Sequence, residues 1–523
     1  MAKITLDKWI VIITVVTASL LQLIDTSIVN VTLTQMMGNL GASLGDISWV
    51  VTSYAAANVI MITLSGWLSA KLGRKNYFTA SIILFTVASI FCGTSTNIEQ
   101  LIILRIIQGL GGGGLLSTAQ AILIDTFPRE EIAMANAIFG MGVILGPSLG
   151  PTLGGYITDH LSWHWVFFIN VPVGVVAAIL SLLYIKESKH QSKTGRMDWF
   201  ALALLIITIG ALQIVLEKGV EEDWFESRYI ILLTISSIVA GILFVWRQLT
   251  VEYPILNLRL LKNSSFAFGT FFSFIQGIGL YASVFIIPVF CQSMLGYTSQ
   301  DTGWLLMPGS LAAGAMMPII GGMMKGNKVS PVLLTGIGFA LFVLFVYLLS
   351  GMNLNTNPHD FFWPLIIRGV GMGLLFIPLM TITVFTLQSK DIGQGTALSN
   401  MVRQLGGSFG IALMTTLLSV RSVLHYSRLS EHISIYNQST FDRLNTTTGL
   451  LMSKGGDLNS SQIASVAALK GSVYKQAMVL TYNDVFMIVG VFFAVCIPLL
   501  FLFRLKGKSV EKVEKKVEMH LVD

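Results

Sequence analysis

The sequence predicts an all-helical, polytopic membrane protein with fourteen transmembrane helices. Only 11% of its 523 residues are charged and 54% are hydrophobic, and its mean hydropathy is +0.74. A soluble domain carries about 25% charged residues. The first apolar run is long enough to span a bilayer, shows no signal-peptide cleavage site, and is followed by similar runs. We therefore expect a retained first helix.

A window of about 20 residues, the length that crosses a bilayer as a helix, divides the chain into candidate spans. They cover residues 9–31, 48–70, 77–95, 99–125, 134–158, 163–185, 197–217, 228–248, 264–290, 302–324, 330–350, 361–387, 397–420 and 482–505. An even number of spans places both termini on the same side of the membrane.

The positions of Lys and Arg orient these spans. With both termini in the cytoplasm, 22 of the 33 basic residues fall in cytoplasmic segments, and the short outer loops hold only Lys218 and Arg228. This bias is the one that cytoplasmic loops show. The formal charge of +6 therefore reports topology, because the basic residues are dispersed and do not form a nucleic-acid patch.

Neither a metal nor a nucleotide cofactor is expected. The three cysteines lie in or at the ends of apolar runs, and the seven histidines lie in loops, short linkers or the tail, so no ligand cluster forms. The sequence has no GxxxxGK[ST], which disfavours ATP-driven transport. The GxGxxG at residues 109–114 lies within a spanning helix, where small residues let helices pack closely.

Two features repeat along the chain. Helix 4 reads LIILRIIQGLGGGGLL around Arg105, and helix 12 reads LIIRGVGMGLLFIPL around Arg368, 263 residues later. A second pair of motifs, Gly142-xxx-Gly146 and residues 406–410, has nearly the same offset. The repeat predicts duplicated halves, with helices 1–6 matching helices 9–14. Such repeats build a binding site near the membrane midplane.

The predicted organisation has three parts. Residues 1–185 form an N-terminal six-helix bundle, and residues 186–263 form two inserted helices with their linkers. Residues 264–523 form a C-terminal six-helix bundle, which includes a long outer loop at 421–481 and a basic cytoplasmic tail.

Several segments resemble motifs of a known superfamily. GWLSAKLGRK at residues 66–75 resembles the loop signature G-x-L-a-D-r-x-G-r-k of the major facilitator superfamily, and LIILRIIQG at 101–109 resembles its helix 4 motif. The loop signature implies a gating role for Gly66, Lys71, Gly73, Arg74 and Lys75. The alternative is that the basic residues among them only set the topology. The signature usually has Asp where this chain has Ala70, so the role of that Asp does not carry over.

Two further motifs narrow the resemblance. GVILGPSLGPTLGG at residues 142–155 resembles the helix 5 motif of antiporters, and LIDTSIVNV at 23–31 resembles the helix 1 motif of the fourteen-span drug:proton antiporters. The helix 5 motif residues are Gly142, Gly146, Pro147, Gly150, Pro151, Gly154 and Gly155. With the RQLGG segment at 403–407, the chain resembles the fourteen-span drug:proton antiporter family of the EmrB/QacA type over essentially its whole length.

The resemblance implies a fold, a location and partners. It implies the major facilitator fold in a bacterial cytoplasmic (inner) membrane and export of hydrophobic drugs in exchange for protons. It also implies a periplasmic membrane-fusion protein and an outer-membrane channel as partners in a host with two membranes.

A carboxylate inside the first span is the strongest site candidate. A charged side chain in lipid costs several kcal/mol, so its presence there indicates a functional residue. Asp25 lies in the outer half of helix 1, and Arg105 lies about seven residues into helix 4, so the two can share a depth. The alternative for Arg105 is snorkelling to the interface. We expect this pair to couple transport to protons.

Other polar residues in the spans are candidates for a substrate cavity. They are Gln22, Asn58, Gln108, Gln120, Gln276, Tyr281, Arg368 and Arg403. Each amide could instead bond helix to helix. Three spanning arginines against one deep carboxylate favour neutral or weakly acidic lipophiles over dications.

The sequence thus predicts a proton-coupled multidrug efflux antiporter, which is not an enzyme. Transport of one dedicated metabolite is the first alternative. A membrane enzyme or receptor is the second, and the lack of an acid/base or nucleophile constellation at membrane depth disfavours it.

Overall fold

The computed structural model describes residues 6–188, 195–324, 329–384, 387–388, 391–434 and 436–506, and its regular elements in these ranges are helices. The α-helices are α1 (Leu6–Leu40), α2 (Leu44–Leu72), α3 (Arg74–Cys92), α4 (Ile98–Thr126), α5 (Arg129–His160), α6 (Trp165–Phe168), α7 (Asn170–Tyr184), α8 (Trp199–Lys218), α9 (Arg228–Thr250), α10 (Ser264–Met294), α11 (Ser299–Met324), α12 (Pro331–Leu349), α13 (Pro358–Val384), α14 (Ile392–Glu431), α15 (Gln438–Ser453) and α16 (Leu458–Lys506). We call the end of the bundle where α1 begins and α2 meets α3 the basic end, and the opposite end the far end.

The predicted number of membrane spans is confirmed. Fourteen segments within the described ranges are long and apolar enough to cross a membrane, and α6 and α7 together form the sixth of them. Lipid favours this all-helical solution because a helix satisfies its own backbone hydrogen bonds.

The long outer loop predicted at 421–481 is corrected to a largely helical segment. α14 has 40 residues and α16 has 49, or about 60 and 75 Å at 1.5 Å per residue. The hydrocarbon core is only about 30 Å thick. Both helices therefore continue beyond the bilayer, with α15 between them. We call residues 421–431, 438–453 and 458–481 the helical extension.

The extension was missed because hydropathy reports residence in lipid and does not report helix formation. Its helices begin at capping residues. The Asn437 side chain accepts a hydrogen bond from the backbone of Ser439, and Asp457 accepts one from the backbone of Ser460. The hydrogen bonds from Ser460 hold the pKa of Asp457 below its usual range. Thr448 of α15 donates to Ser465 of α16 at 3.0 Å and joins the two helices.

The two halves repeat the same helix contacts. Gly109 and Gly113 bring α4 against the backbone of α2, and Gly369 and Gly373, each 260 residues later, bring α13 against the backbone of α11. A Cβ at Gly109 would lie 2.6 Å from a backbone oxygen of the neighbouring helix. Only a glycine permits this approach.

These contacts correct the register that the sequence repeat suggested. With the close-packed glycines 260 residues apart, Arg368 corresponds to Gln108, and the counterpart of Arg105 is Leu365. The sequence comparison aligned the two arginines because they are conspicuous in apolar runs. The depth of a helix is set instead by the residues at which its neighbour can approach.

The halves meet along several helices. α5 packs against α11, where the hydroxyls of Ser148 and Ser310 are hydrogen-bonded. Asn400 of α14 donates to Gln120 of α4 at 3.0 Å. Towards the basic end, a Cβ at Gly66 of α2 would lie 3.0 Å from the backbone of α14. Polar and close-packed contacts therefore hold the two bundles together.

The inserted helix α8 lies between α2 and α14 towards the far end. The Gln213 amide donates to Ser408 of α14 at 2.9 Å and to Glu217 of its own helix at 2.7 Å. Lys218, at the end of α8, donates to the carbonyl of Gly45 in α2 at 3.1 Å. α8 therefore has hydrogen bonds to both halves.

Candidate functional site

Asp25 and Arg105 form an ion pair buried in the N-terminal half. The Arg105 guanidinium donates to Asp25 Oδ2 at 2.7 Å, and the two side chains are 1% and 0% exposed. The structure therefore brings together the two residues that the sequence paired by depth. Snorkelling does not describe Arg105 here, because its charged group is buried with the carboxylate.

The second carboxylate oxygen has two neutral donors. Asp25 Oδ1 accepts a hydrogen bond from Gln108 at 2.9 Å and from Asn170 at 2.8 Å. The same two amide nitrogens donate to the hydroxyl of Ser89, at 2.9 and 3.0 Å. This network connects α1, α3, α4 and α7. We call Asp25, Arg105, Gln108, Asn170 and Ser89 the carboxylate cluster.

Arg105 has partners besides Asp25. It donates to the Gln108 side-chain oxygen at 2.6 Å and to the backbone carbonyl of Val50 at 3.2 Å. Its guanidinium also stacks over the Tyr54 ring, 4.0 Å from the centroid. These contacts stabilise the cation in a low-dielectric setting. The charged groups of Arg105 and Asp25 are closed to solvent in this conformation.

The glycine run of α4 positions this cluster. Gly109 lies one turn after Arg105 and touches the backbone carbonyl of Tyr54. Because the helices can approach so closely, the arginine reaches both the Val50 carbonyl and the Tyr54 ring. The run at 109–114 therefore serves helix packing, as the sequence indicated.

A second polar site faces a cavity between the two halves. The cavity is lined by Leu23, Ile62, Leu116, Val143, Pro147, Leu280, Tyr281, Val284, Asn400, Arg403 and Gln404. The Tyr281 hydroxyl donates to Gln404 at 2.7 Å, and Arg403 donates to Asn400 at 2.5 Å. The lining is thus mostly aliphatic, with one cation and a few neutral polar groups. Such a lining suits lipophilic ligands with a small polar group.

Tyr281 and Arg403 line this cavity, and the other predicted cavity residues are not in its lining. Gln22 donates to Asn58 at 3.3 Å, and Gln120 accepts from Asn400, so these amides bond helix to helix. Gln108 belongs to the carboxylate cluster. Gln276 is buried on α10, and Arg368 is buried on α13. Hydropathy marks a polar residue as unusual, but it does not tell which way the side chain faces.

The loop between α2 and α3 is a single residue. Gly73 has a φ of 88°, a conformation that favours glycine, and Arg74 begins the next helix. Arg74 is buried and forms an ion pair with Asp125 of α4. The Lys71 ammonium lies over the Trp67 ring, 4.6 Å from its centroid. Arg74 therefore has an acidic partner on another helix, although the motif has Ala70, in α2, where the signature has Asp. Lys75 is half-buried on α3.

The helix 5 motif packs α5 against both halves. Gly142, Gly146, Gly150 and Gly154 each lie against α1. A Cβ at Gly155 would lie 2.9 Å from the backbone of Gln300 at the start of α11. α5 continues as one helix through Pro147 and Pro151. The motif therefore works through close packing, and Pro147 adds a cavity wall.

Comparison with known proteins gives the family. The model of the Major Facilitator Superfamily matches residues 15–411. The chain belongs to the major facilitator superfamily. It is therefore a multi-pass membrane protein of a transporter family, which argues against the alternative of a membrane enzyme.

Two bacterial relatives match nearly the whole chain. The chain is 32% identical to the fatty acid resistance protein FarB of Neisseria gonorrhoeae, over 93% of this chain and 94% of the relative. It is 33% identical to the multidrug export protein EmrB of Escherichia coli, over 91% of each. Among solved structures it resembles the human organic anion transporter MFSD10 with a TM-score of 0.54 and 12% identity, covering 93% of this chain and 99% of that one. The structural match supports the superfamily fold.

Sequence reasoning missed part of the carboxylate cluster. Asn170 and Ser89 contact Asp25 and its donors, yet neither was a candidate. A signal existed for Asn170, since it is a lone amide within the apolar run of the sixth span. No comparable signal marks Ser89, because serine is common in spanning helices.

Proposed function

We propose that this protein exports lipophilic compounds, neutral or weakly acidic, across a bacterial cytoplasmic membrane in exchange for protons. Both termini lie in the cytoplasm in this proposal, as the distribution of basic residues indicates. The observation that carries the proposal is the buried carboxylate cluster, in which Asp25 is 0% exposed and has Arg105 at 2.7 Å. The names of the relatives, a multidrug export protein and a fatty acid resistance protein, agree with it.

Protonation of Asp25 would change the bonding of the whole cluster. A neutral carboxyl group no longer balances the charge of Arg105, and one of its oxygens becomes a donor. Arg105 would then depend on Gln108 and the Val50 carbonyl, which it already contacts. The cluster thus has two arrangements that differ by one proton. A proton can shift the balance between two conformations only if it binds one of them better.

The cavity supplies the substrate side of the proposal. Among the described residues, Arg403 has no acidic partner within ion-pair distance. Its positive charge in a mostly aliphatic lining repels dications and attracts the charged form of a weak acid. Neutral lipophiles are accepted through apolar contacts, which are tolerant of shape.

The test compares Asp25→Asn with wild type in proteoliposomes. Asn keeps the size and part of the hydrogen bonding of Asp but cannot exchange a proton. We expect the folded variant to bind a lipophilic substrate and to lose accumulation driven by a pH gradient. Substrate addition to the detergent-solubilised variant should also release no protons.

Asp7→Asn is the matched control, because Asp7 is an exposed carboxylate in the first turn of the same helix. It should transport at the wild-type rate. Expression and monodispersity are checked first, since Asp25→Asn leaves Arg105 without its acid. Gradient-driven transport by folded Asp25→Asn at the wild-type rate would remove Asp25 from the mechanism.

A partner is proposed for the helical extension. We infer that it contacts a periplasmic membrane-fusion protein, which in turn meets an outer-membrane channel. The inference is supported by its length beyond the bilayer and by exposed apolar side chains, including Leu450, Ile463 and Val466, at 55%, 74% and 57% exposure. Exposed apolar groups on a segment outside lipid are typical of protein contact sites.

The partner is tested by removing α15 and joining α14 to α16 with a short flexible linker. Efflux in cells should fall while transport in proteoliposomes persists, because liposomes need no partner. Equal loss in both systems would contradict the partner role and indicate misfolding.

A further inference from the structure

Arg368 of α13 is a buried cation for which the described residues provide no counter-charge. The residue is 3% exposed, and its Nη1 nitrogen is buried without a hydrogen-bond partner. No ion pair and no cation–π contact involves it among the described residues. Arg105 by contrast has an acid, an amide oxygen, a carbonyl and an aromatic ring. Buried charges in membrane proteins are normally paired, so this arrangement requires an explanation.

Among the described residues, no acid on α10, α11, α12, α13 or α16 is placed to pair with it. α10 and α12 contain no charged residue at all. Asp360 lies in the first turn of α13, eight residues and about 12 Å of helix from Arg368. Asp301 is exposed in the first turn of α11. Asp484 of α16 is engaged with His425 and Arg421.

The internal repeat relates Arg368 to a residue of the carboxylate cluster in the other half. Arg368 corresponds to Gln108, which donates to Asp25 in the other half. Gly146 of α5 contacts Leu23 of α1, and its counterpart Gly410 of α14 contacts Ile278 of α10. Two residues further along stand Asp25 in α1 and Leu280 in α10. At this position the N-terminal half has a carboxylate, and the C-terminal half has an aliphatic side chain and a cation.

We propose that Arg368 is the centre of an anion-binding site in the C-terminal half. The anion takes the place that the Asp25 carboxylate has in the N-terminal half. Guanidinium groups bind carboxylates and small anions through several N–H donors at once. The neighbours on α13 are tightly packed, with Leu365 and Leu375 both 0% exposed. The ligand is therefore a small monovalent anionic group, supplied either by an inorganic ion such as chloride or by the carboxylate of a transported acid.

This site is independent of proton coupling by Asp25. It is a binding site, and its occupancy can be measured without a gradient and without transport. Failure of the proposed antiport would leave it standing, and failure of the anion site would leave the antiport proposal untouched.

The experiment measures thermal unfolding of the purified protein in detergent at constant ionic strength. Sodium chloride replaces sodium isethionate, whose sulfonate headgroup is larger than chloride and larger than a carboxylate group. A ligand that binds only the folded state raises Tm in a saturable way. We expect chloride to raise the Tm of wild type. In Arg368→Gln, the chloride concentration that gives half of the maximal rise in Tm should be about tenfold higher or more.

Two variants serve as controls. Arg228→Gln makes the same change at an exposed arginine outside the carboxylate cluster and the cavity and should keep the wild-type chloride response. Arg368→Lys keeps the charge and should keep part of the response. Without chloride, Arg368→Gln should unfold at the same temperature as wild type or higher, because the substitution removes an unpaired buried charge. A folding defect is therefore not expected to obscure the result.

A second titration separates the two sources of the anion. Benzoate is compared with benzyl alcohol, which has a similar shape and no charge. A rise in Tm with benzoate alone, absent in Arg368→Gln, would assign the site to the carboxylate of an organic acid. A chloride response assigns it to an inorganic anion. If neither anion stabilises wild type, or if Arg368→Gln responds as wild type does, the proposal is wrong.

Discussion

Removing both charges of the Asp25–Arg105 pair should cost less stability than the sum of the losses caused by removing each charge alone. Asp25→Asn leaves a buried guanidinium without its acid, and Arg105→Gln leaves a buried carboxylate without its cation. The double variant leaves neither charge. Desolvation penalises an uncompensated charge more than it penalises two neutral amides.

The contacts of the cluster set the expected magnitudes. Breaking a buried pair by removing one partner costs about 3–5 kcal/mol. In Arg105→Gln, Asp25 keeps the amide donors of Gln108 and Asn170, at 2.9 and 2.8 Å, and hydrogen bonds to a charged group contribute about 1.5–3 kcal/mol each. In Asp25→Asn, Arg105 keeps Gln108, the Val50 carbonyl and the Tyr54 ring. Both losses should therefore lie towards the lower end of the range.

The measurement is a double-mutant cycle on the purified protein. The free energy of unfolding is determined for wild type, both single variants and Asp25→Asn/Arg105→Gln. We expect the double variant to be at least about 2 kcal/mol more stable than the sum of the single losses predicts, since contacting residues couple by about 0.5–3 kcal/mol. Additive losses within about 0.5 kcal/mol would refute the argument that the two charges stabilise one another.

Three further predictions concern contacts between helices. Arg74→Gln should lower the free energy of unfolding by about 3–5 kcal/mol through loss of its buried pair with Asp125, and chemical denaturation would show this; an unchanged midpoint would contradict it. A disulfide between Gln213→Cys and Ser408→Cys, in a background without the native cysteines, should stop transport until a reductant is added, because α8 would stay fixed to α14. Transport by the cross-linked protein would show that these helices need not separate during the cycle. Gly150→Val should lower stability by about 1–3 kcal/mol or more by overpacking α5 against α1, and a Tm equal to that of wild type would be inconsistent with the contact.

Properties that are local in the chain were predictable from the sequence. Each span follows from hydropathy in one window, so the number of spans was correct. The pairing of Asp25 with Arg105 was predictable because a charge in an apolar run needs a counter-charge at the same depth. Hydropathy gave no hint of the helical extension, since a polar helix outside lipid has no apolar run.

Properties that depend on helix contacts were not predictable in the same way. The register of the repeat is fixed by the glycines at which α13 and α11 approach, and the sequence match favoured the arginines instead. Asn170 contributes to the cluster only because α7 packs beside α1. The side of a helix on which Gln22 or Gln276 lies depends on neighbours that are distant in the chain.

The two halves differ in their buried charges, and the charge of the exported compound affects the driving force for transport. In the N-terminal half Arg105 is neutralised by Asp25, whereas Arg368 and Arg403 have no acidic partner among the described residues. If one proton enters per cycle, export of a neutral compound moves one positive charge inward, and export of a monovalent anion moves two. A potential of 100 mV contributes about 2.3 kcal/mol per charge. With a potassium diffusion potential and no pH gradient in proteoliposomes, accumulation of a lipophilic carboxylate should therefore depend about twice as steeply on voltage as accumulation of its neutral alcohol analogue. Equal voltage dependence for the two would show that the acid crosses in its neutral form.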